Sequence, residues 1–325
     1  MNCALVTGGA GFLGFHLCEK LLNDGFKVIA VDNLITGQIE NIHYLSDKYS
    51  DNFIFINADI TKTWDSWLPR ILLFKVTELK YVFHFASVAS PHLFRKYSLE
   101  IMEANSTGLQ HAIHYADQFQ ARVIFASTSE IYGSEQQTAF SESHWGYVNS
   151  FGERSCYNEA KRFGEAIIFS SNQRNNTQHG LVRIFNTYGP RMRLDDERVI
   201  PYFIMQCLRR LPLSIHQKGL QTRSFCYVDD LIEAILIYTK ADIKTPMNLG
   251  KDDEISILNL ALLITKILNQ EVSFIFKDPR TDDPTQRRPN LELALQLLNP
   301  WTPKVSLEIG IERTSQYLKE KFSNS

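Results

Sequence analysis

The sequence has few features of secreted, metal-binding, membrane-spanning or nucleic-acid-binding proteins. Its five cysteines are scattered and form no Cys-x-x-Cys pair, so they indicate neither a disulfide framework nor a zinc site. No run of about 18 apolar residues occurs, and no signal peptide is recognisable. A formal net charge of -2 provides no basic field for nucleic acid or for an anionic membrane. We therefore expect a cytoplasmic protein with reduced thiols and with neither nucleic acid nor membrane as a partner.

The rest of the composition is ordinary for a globular protein with a sizeable core. The chain has 325 residues, of which 44% are hydrophobic and 22% are charged. This size favours one large domain with a smaller appendage. We predict no metal site, because no metal-ligand spacing with acids is found at His84, His92, His111, His114 or His216.

The first informative motif is a glycine-rich turn between a short apolar strand at 2–7 and an amphipathic helix. Residues 8–14, GGAGFLG, place three glycines where the backbone can approach a pyrophosphate, and the following helix N-terminus supplies amide donors. A second strand, at 27–31, leads into Asp32, eighteen residues after Gly14. A carboxylate there suits a ribose diol and would repel a 2′-phosphate. The sequence therefore predicts NAD rather than NADP as the cofactor.

Strands and helices then alternate along the chain. We predict further strands at 53–57, 81–85, 122–126 and 181–185, and helices near 64–75, 99–119, 157–174, 198–210, 229–240, 256–269, 291–298 and 306–321. The early alternation predicts an α/β fold, a doubly wound parallel Rossmann sheet with ligands at the carboxyl ends of its strands. We predict an NAD-binding domain over 1–185 and a smaller, mixed substrate-binding domain over 186–325, interleaved with the last sheet strands.

A tyrosine and a lysine four residues apart, Tyr157 and Lys161, form the candidate catalytic pair. At this spacing both side chains lie on one face of a helix and can point into one cleft. A nearby ammonium and a cationic nicotinamide ring would both favour phenolate and lower the tyrosine pKa. Tyr157 is therefore a candidate general base. Such pairs occur by chance in many helices, so the weight comes from the surrounding motifs, including the Thr-Ser-Glu of 128–130.

Several stretches resemble the extended short-chain dehydrogenase/reductases that act on nucleotide sugars. TGGAGFLG at 7–14, the Tyr-x-x-x-Lys pair and FNTYGPR at 185–191 carry this resemblance. Within that superfamily the chain looks most like the UDP-glucuronate decarboxylases, which make UDP-xylose. The resemblance covers nearly the whole chain. Its most specific stretches are TSEIYG at 128–133, WGYVNSFGERSCYNEAKR at 145–162, NTYGPRMRLDDERV at 186–199, QTRSFCYVDDL at 221–231 and DDPTQRRP at 282–289.

The resemblance implies how the reaction would proceed. Tyr157 would remove the 4-hydroxyl proton of the sugar while hydride passes to NAD, Lys161 would lower its pKa and hold the nicotinamide ribose, and Thr128 would bind the 4-oxygen. The resulting 4-ketone would allow the 6-carboxylate to leave as carbon dioxide. Glu130 and Arg287 resemble the pair around the carboxylate and the reprotonation. Hydride would then return to the sugar, so that NAD is regenerated and stays bound.

The resemblance also implies a bound nucleotide sugar, with a UDP-sugar expected, and a homodimer joined through the helices at 99–119 and 157–174. Expected cofactor-binding residues are Gly8, Gly11, Phe12, Leu13, Gly14, Asp32, Asn33, Asp59, Ile60, Phe85, Ala86, Ser87, Ala126, Tyr157, Lys161, Thr187 and Arg193. Expected substrate-binding residues are Asn186, Arg198, Val199, Arg223 and Arg287. The planar guanidinium of Arg223 suits the oxygens of a diphosphate.

Some positions depart from the decarboxylase pattern. Phe94 replaces a tyrosine expected to face the sugar carboxylate, and Glu103 replaces a lysine. His216-Gln217 replaces an aromatic-glycine pair beside the uracil, and Glu197 replaces a glycine in the nucleotide loop. The loss of a hydroxyl and a positive charge would weaken the binding of an anionic sugar.

Two alternatives therefore remain beside the decarboxylase. One is a 4,6-dehydratase or epimerase acting on a neutral nucleotide sugar, since Thr-Ser-Glu also resembles a dehydratase motif and Glu130 can move a proton at carbon 5. The other is a non-catalytic NAD-sensing protein of the same fold. The retained Tyr157 and Lys161 argue against the sensor.

Overall fold

The computed structural model describes residues 2–67, 78–134, 139–278 and 286–323. The predicted helix near 64–75 falls largely outside these residues, and its described start is a 3-10 turn at Trp64–Ser66. The first part of the DDPTQRRP motif, 282–285, also lies outside them.

Fourteen strands are found in the described residues. In chain order they are β1 (Asn2–Thr7), β2 (Lys27–Asp32), β3 (Phe53–Asn57), β4 (Glu78–His84), β5 (Arg122–Thr128), β6 (Gly180–Ile184), β7 (Thr187–Tyr188), β8 (Leu213–His216), β9 (Thr222–Ser224), β10 (Cys226–Tyr227), β11 (Met247–Leu249), β12 (Glu254–Ser256), β13 (Phe274–Lys277) and β14 (Gln286–Arg287).

The α-helices connect and cover these strands. They are α1 (Phe12–Asn23), α2 (Ile39–Lys48), α3 (Ser98–Asn105), α4 (Thr107–Gln118), α5 (Ser155–Asn175), α6 (Val199–Leu208), α7 (Val228–Lys240), α8 (Ile257–Leu268), α9 (Glu292–Leu297) and α10 (Leu307–Ser323).

Seven parallel strands form the central sheet, in the order β11-β6-β5-β4-β1-β2-β3. Near-continuous apolar strands such as β1 and β2 are typical of a parallel sheet that is buried on both faces. α1 packs against α7 and β2, and α4 and α5 pack against β4 and β5. The predicted doubly wound fold is confirmed. The strand order reverses beside β1, and ligands bind at such switch points.

The predicted helix at 99–119 is in fact two helices, α3 and α4. They meet at Ser106, whose φ of -111° and ψ of -82° are not helical. Side-chain hydrogen bonds compete with the helical pattern there: Asn105 donates to the Ile101 carbonyl (2.8 Å) and to Ser87 Oγ (2.9 Å), and Ser106 donates to the Met102 carbonyl. The break brings Asn105 against the end of β4.

In the described residues the C-terminal part adds three small sheets to the central one. β9 lies between β12 and β14 in a three-stranded sheet, with Arg223 in register with Arg287. β11 joins the central sheet beside β6, so a strand of the C-terminal part belongs to the central sheet. The division at 185/186 stays a prediction. In the described part of the chain no helix is long and apolar enough to cross a membrane, and no cluster of three or more His, Cys, Asp or Glu is placed to hold a metal.

Candidate active site

One cavity of about 470 Å³ lies at the carboxyl ends of the central strands. It is lined by the ends of β1, β2, β4, β5 and β6, and by residues of α5, α6, β9 and β14. Every residue that the sequence analysis proposed for catalysis, cofactor binding or substrate binding lines this cavity. The fold therefore gathers one set of side chains from positions as far apart in sequence as Gly8 and Arg287.

The glycine-rich turn forms a cradle with no room for side chains. Gly8 has a φ of 75°, and a Cβ atom there would lie 2.8 Å from the backbone nitrogen of Ala86. A Cβ atom on Gly14 would lie 2.0 Å from the carbonyl oxygen of Gly8. The left-handed φ and these close approaches require glycine. Only a backbone-lined surface fits here, which is the kind that a pyrophosphate needs.

Asp32 ends β2 beside this cradle and is 8% exposed. Its two oxygens accept backbone hydrogen bonds from Ala10 (3.1 Å) and Leu34 (2.8 Å). Burial raises the Asp32 pKa, and the two backbone bonds act against that rise. A carboxylate held in this way at the cavity wall keeps lone pairs for ribose hydroxyls. The glycine cradle and Asp32 together fit NAD.

Tyr157 and Lys161 lie on α5 and are buried, at 7% and 3% exposed. The Tyr157 ring stacks on Phe94, with centroids 4.9 Å apart and planes inclined by 19°. Lys161 Nζ donates to the carbonyl oxygen of Ala126 at the end of β5 (2.6 Å) and lies 5.8 Å from the centre of the Tyr157 ring. The two side chains share one face of α5, as their spacing predicts.

Burial is the main influence on the pKa of Tyr157. Burial raises it to about 12, and a hydrogen bond with the Thr128 side chain acts in the opposite direction. Glu130 contributes to the rise, because a carboxylate disfavours phenolate. Burial also lowers the pKa of Lys161 to about 7. Lys161 Nζ donates to the Ala126 carbonyl, and its ammonium does not by itself lower the pKa of Tyr157 toward neutral pH.

Glu130 lies between two guanidinium groups. Its Oε2 is 3.0 Å from Arg154 Nη1, and its Oε1 is 2.8 Å from Arg287 Nη1. Arg287 is 2% exposed, and its Nη2 donates to the carbonyl oxygen of Gly133 (2.9 Å). Burial alone would raise the pKa of Glu130, but Arg287 and then Arg154 outweigh it, and the pKa is lowered. Glu130 is therefore ionised at neutral pH.

Comparison with known proteins places the chain in a family. Residues 4–250 match the model of the NAD dependent epimerase/dehydratase family. The chain belongs to this family. It is 36% identical over 321 residues to UDP-glucuronic acid decarboxylase 1 of Xenopus tropicalis, covering 98% of this chain and 73% of that protein. It is 37% identical over 320 residues to UDP-glucuronic acid decarboxylase 1 of Arabidopsis thaliana, covering 98% and 70%.

Two solved structures of nucleotide-sugar epimerases are similar to this chain in fold. UDP-glucose 4-epimerase of Thermotoga maritima with UDP-glucose superposes with a TM-score of 0.87 at 27% identity, over 99% of this chain and 100% of that one. UDP-glucuronic acid 4-epimerase of Bacillus cereus with UDP-glucuronic acid and NAD superposes with a TM-score of 0.86 at 28% identity, over 98% and 99%. The predicted family, superfamily fold and NAD cofactor are confirmed.

The positions that depart from the decarboxylase pattern of the family have different surroundings. Phe94 is 3% exposed and supports the Tyr157 ring. Glu103 is exposed on α3 and lines the cavity. Glu197 and His216 also line the cavity. His216 contacts the carbonyl oxygen of Asp278 through its ring (2.6 Å). Four of these five positions therefore lie where they can influence a ligand, whereas Gln217 is absent from the described cavity lining.

Sequence reasoning missed two cavity residues that organise the predicted ones. Arg154 immediately precedes α5 and pairs with Glu130. Asp196 is 5% exposed and pairs with Arg198 (2.5 Å), which fixes that guanidinium. The available signal for Arg154 was its place one turn before Tyr157 in the 145–162 motif. Asp196 likewise lies in the 186–199 motif, but its pairing with Arg198 depends on how the loop before α6 folds.

Proposed function

We propose that this chain is an NAD-dependent decarboxylase that converts UDP-glucuronate to UDP-xylose through a 4-keto intermediate and regenerates its cofactor within the cycle. The observation that carries the proposal is the single cavity shared by the Tyr157–Thr128 pair and the Glu130–Arg287 pair. The first pair is suited to removing the proton of a sugar hydroxyl while NAD takes the hydride. The second pair is suited to binding a carboxylate and to orienting a proton donor. The similarity to UDP-glucuronic acid decarboxylases over 98% of the chain supports the same reaction.

The residues proposed to hold NAD are the glycine turn, Asp32 and the other cofactor-binding residues predicted from the sequence. Gly8 and Gly14 would admit the pyrophosphate, and Asp32 would bind the adenosine ribose. Bound NAD would supply the acceptor for the hydride of carbon 4 and a positive charge that favours phenolate. Lys161, tied to the Ala126 carbonyl, would present its ammonium beside Tyr157 and the second ribose.

Tyr157 is proposed to move the proton of the 4-hydroxyl. As phenolate it takes that proton while carbon 4 becomes a ketone, and as phenol it returns the proton when the ketone is reduced. Thr128, which shares a hydrogen bond with Tyr157, would bind the same oxygen. Phe94 holds the Tyr157 ring in place by stacking on it.

Arg287 is proposed to receive the 6-carboxylate. The 4-ketone makes the sugar a β-keto acid, so the electron pair of the carbon 5–carbon 6 bond passes into an enolate as carbon dioxide leaves. Carbon 5 then takes a proton. A solvent water oriented by the ionised Glu130 would supply this proton, and the hydroxide left behind would take up a proton from solvent.

Arg223 is proposed to bind the diphosphate of the substrate. It lines the cavity from β9, next to Arg287 of β14, and its Nη1 donates to the Thr222 carbonyl (2.8 Å). Asn186, Arg198 and Val199 also line the cavity from the segment before and within α6. Arg198 is oriented for this task by Asp196.

A second candidate is a 4-epimerase or 4,6-dehydratase acting on a neutral nucleotide sugar. The observation in its favour is Glu103, an exposed acid that lines the cavity and disfavours a second negative charge. A proton moved at carbon 5 by Glu130 without loss of carbon dioxide would serve a dehydratase. The retained Tyr157 and Lys161 do not suit a non-catalytic sensor.

Release of carbon dioxide tests the proposal directly. The protein is incubated with UDP-glucuronate labelled at carbon 6 and without added NAD, and the labelled gas is collected. We expect release, because the cofactor is regenerated and stays bound. If no gas is released while NAD is demonstrably bound, the decarboxylase proposal is wrong. A thermal-shift screen of UDP-glucuronate, UDP-xylose, UDP-N-acetylglucosamine and GDP-mannose then identifies the ligand, since a ligand that binds the folded state stabilises it.

We also propose a cytoplasmic homodimer joined through the helices at 99–119 and 157–174. Large apolar side chains are exposed on α3 and α5, including Leu99 (70%), Phe163 (53%) and Phe169 (67%). These two helices pack against each other, and exposed apolar surface on them supports an interaction surface there. Light scattering after gel filtration should give a dimer for the wild type and a monomer for Phe169→Glu. A monomeric wild type would contradict this arrangement.

A further inference from the structure

Arg154 links Glu130 to the helix that carries Tyr157. It lies at the start of α5, and its carbonyl oxygen accepts backbone hydrogen bonds from Tyr157 (3.1 Å) and Asn158 (3.0 Å). Its side chain is 15% exposed and reaches across the cavity wall to Glu130, which follows β5. The distance between Arg154 Nη1 and Glu130 Oε2 is 3.0 Å. Arg154 thus connects Glu130, which follows β5, to α5, which carries Tyr157.

The two guanidiniums that meet Glu130 use different oxygens. Arg287 Nη1 lies 2.8 Å from Oε1, whereas Arg154 occupies Oε2. The other charged or titratable groups that act on Glu130 are Arg223 and Tyr157. The cluster of Arg154, Glu130 and Arg287 carries two positive charges and one negative charge. It therefore retains a net positive charge for one further anion.

An anionic sugar would compete for one of these two arginines. Arg287 Nε is buried and makes no hydrogen bond within the described residues, so this guanidinium retains donor capacity. When a carboxylate shares Arg287, Glu130 loses part of its pairing on Oε1. A buried carboxylate that loses its partner either takes up a proton or moves. Arg154, which lies on Oε2, would oppose both changes.

We propose that Arg154 is a positioning residue for the reaction: it keeps the Glu130 carboxylate ionised and fixed relative to Tyr157 while Arg287 is shared with an anionic sugar. This inference rests on the proposed decarboxylation for the identity of the anion. It assigns the two arginines different tasks, since Arg287 receives the substrate and Arg154 holds the acid.

The test compares Arg154→Met, Arg154→Lys and a matched control, Arg313→Met, which removes an exposed guanidinium 4.0 Å from Asp229. Carbon NMR with carboxyl-labelled glutamate follows the titration of Glu130, assigned through Glu130→Gln. In Arg154→Met we expect the Glu130 midpoint to rise and turnover at low pH to fall by about tenfold for each pH unit by which that midpoint rises, because the ionised fraction of Glu130 falls by that factor. Arg154→Lys should restore most of both, and Arg313→Met should match the wild type.

The two proposals fail in different ways. A wild type that releases no carbon dioxide refutes the decarboxylase and leaves the Glu130 titration as the measure of Arg154. A Glu130 midpoint that is the same in the wild type and in folded Arg154→Met refutes the role of Arg154, whatever the substrate is. Arg154→Lys is the variant to use if Arg154→Met does not fold. Its Glu130 should titrate as in the wild type, and a clear rise would also contradict the proposal.

Discussion

Arg287→Ala separates a carboxylate-binding site from a diphosphate-binding site. Arg287 is 2% exposed, pairs with Glu130 and donates to the Gly133 carbonyl. Its removal deletes one buried cation but leaves Glu130 paired with Arg154, so the fold should survive. If the substrate is a uronate, the variant loses the group that meets the 6-carboxylate and keeps Arg223 for the diphosphate.

The size of the effect follows from the contact that is lost. A charge-assisted arginine–carboxylate contact is typically worth about 1.5–3 kcal/mol. That corresponds to roughly 10- to 150-fold in the dissociation constant. We therefore expect Arg287→Ala to bind UDP-glucuronate more weakly by this factor and to lose decarboxylation, while its affinity for UDP is nearly unchanged.

Isothermal titration calorimetry with UDP and with UDP-glucuronate measures both quantities. Arg288→Ala is the matched control, because Arg288 is the adjacent arginine, is partly exposed, and lies 3.8 Å from Glu254. Glu103→Lys tests the same idea in the opposite direction and should strengthen UDP-glucuronate binding relative to a neutral UDP-sugar. A large loss of UDP affinity in Arg287→Ala would refute the carboxylate assignment, and no gain in Glu103→Lys for any ligand would favour a neutral-sugar enzyme.

Three further predictions concern the cofactor side of the cavity. Tyr157→Phe should slow hydride transfer on the order of 10²–10⁴-fold with little change in UDP affinity, and wild-type turnover would remove Tyr157 as the base. Asp32→Ala should weaken NAD binding by about 1–3 kcal/mol in a fluorescence titration, and copurified NADP in the wild type would contradict this reasoning. Because burial raises the pKa of Tyr157 to about 12 from the usual 10.0, the protonated phenol is favoured in the folded protein. The contribution of Tyr157 to the free energy of unfolding is complete below a pH of about 10 and is lost as the pH rises toward about 12. Tyrosinate absorbance of the cofactor-free wild type minus Tyr157→Phe should therefore show no titration near pH 10, and a midpoint there would contradict the burial argument.

Local rules were sufficient to predict the parts of the fold that depend on neighbours in sequence. The glycine turn, the strand ending at Asp32 and the one-face spacing of Tyr157 and Lys161 all follow from residues within a few positions of one another. The helix break at Ser106 was missed, since it depends on a hydrogen bond from Asn105 to Ser87, on another element.

The family, the doubly wound sheet and many of the residues around the cavity could be predicted from the sequence, because they follow from periodicity and from motifs that are continuous in the chain. Only the tertiary structure decided how those residues are paired and charged. Glu130 pairs with Arg287, which lies more than one hundred and fifty positions away in the sequence. Lys161 donates to the Ala126 carbonyl, and the pKa of Tyr157 stays raised. Pairing and burial are relations between distant segments, and they set the pKa of Tyr157 and of Glu130.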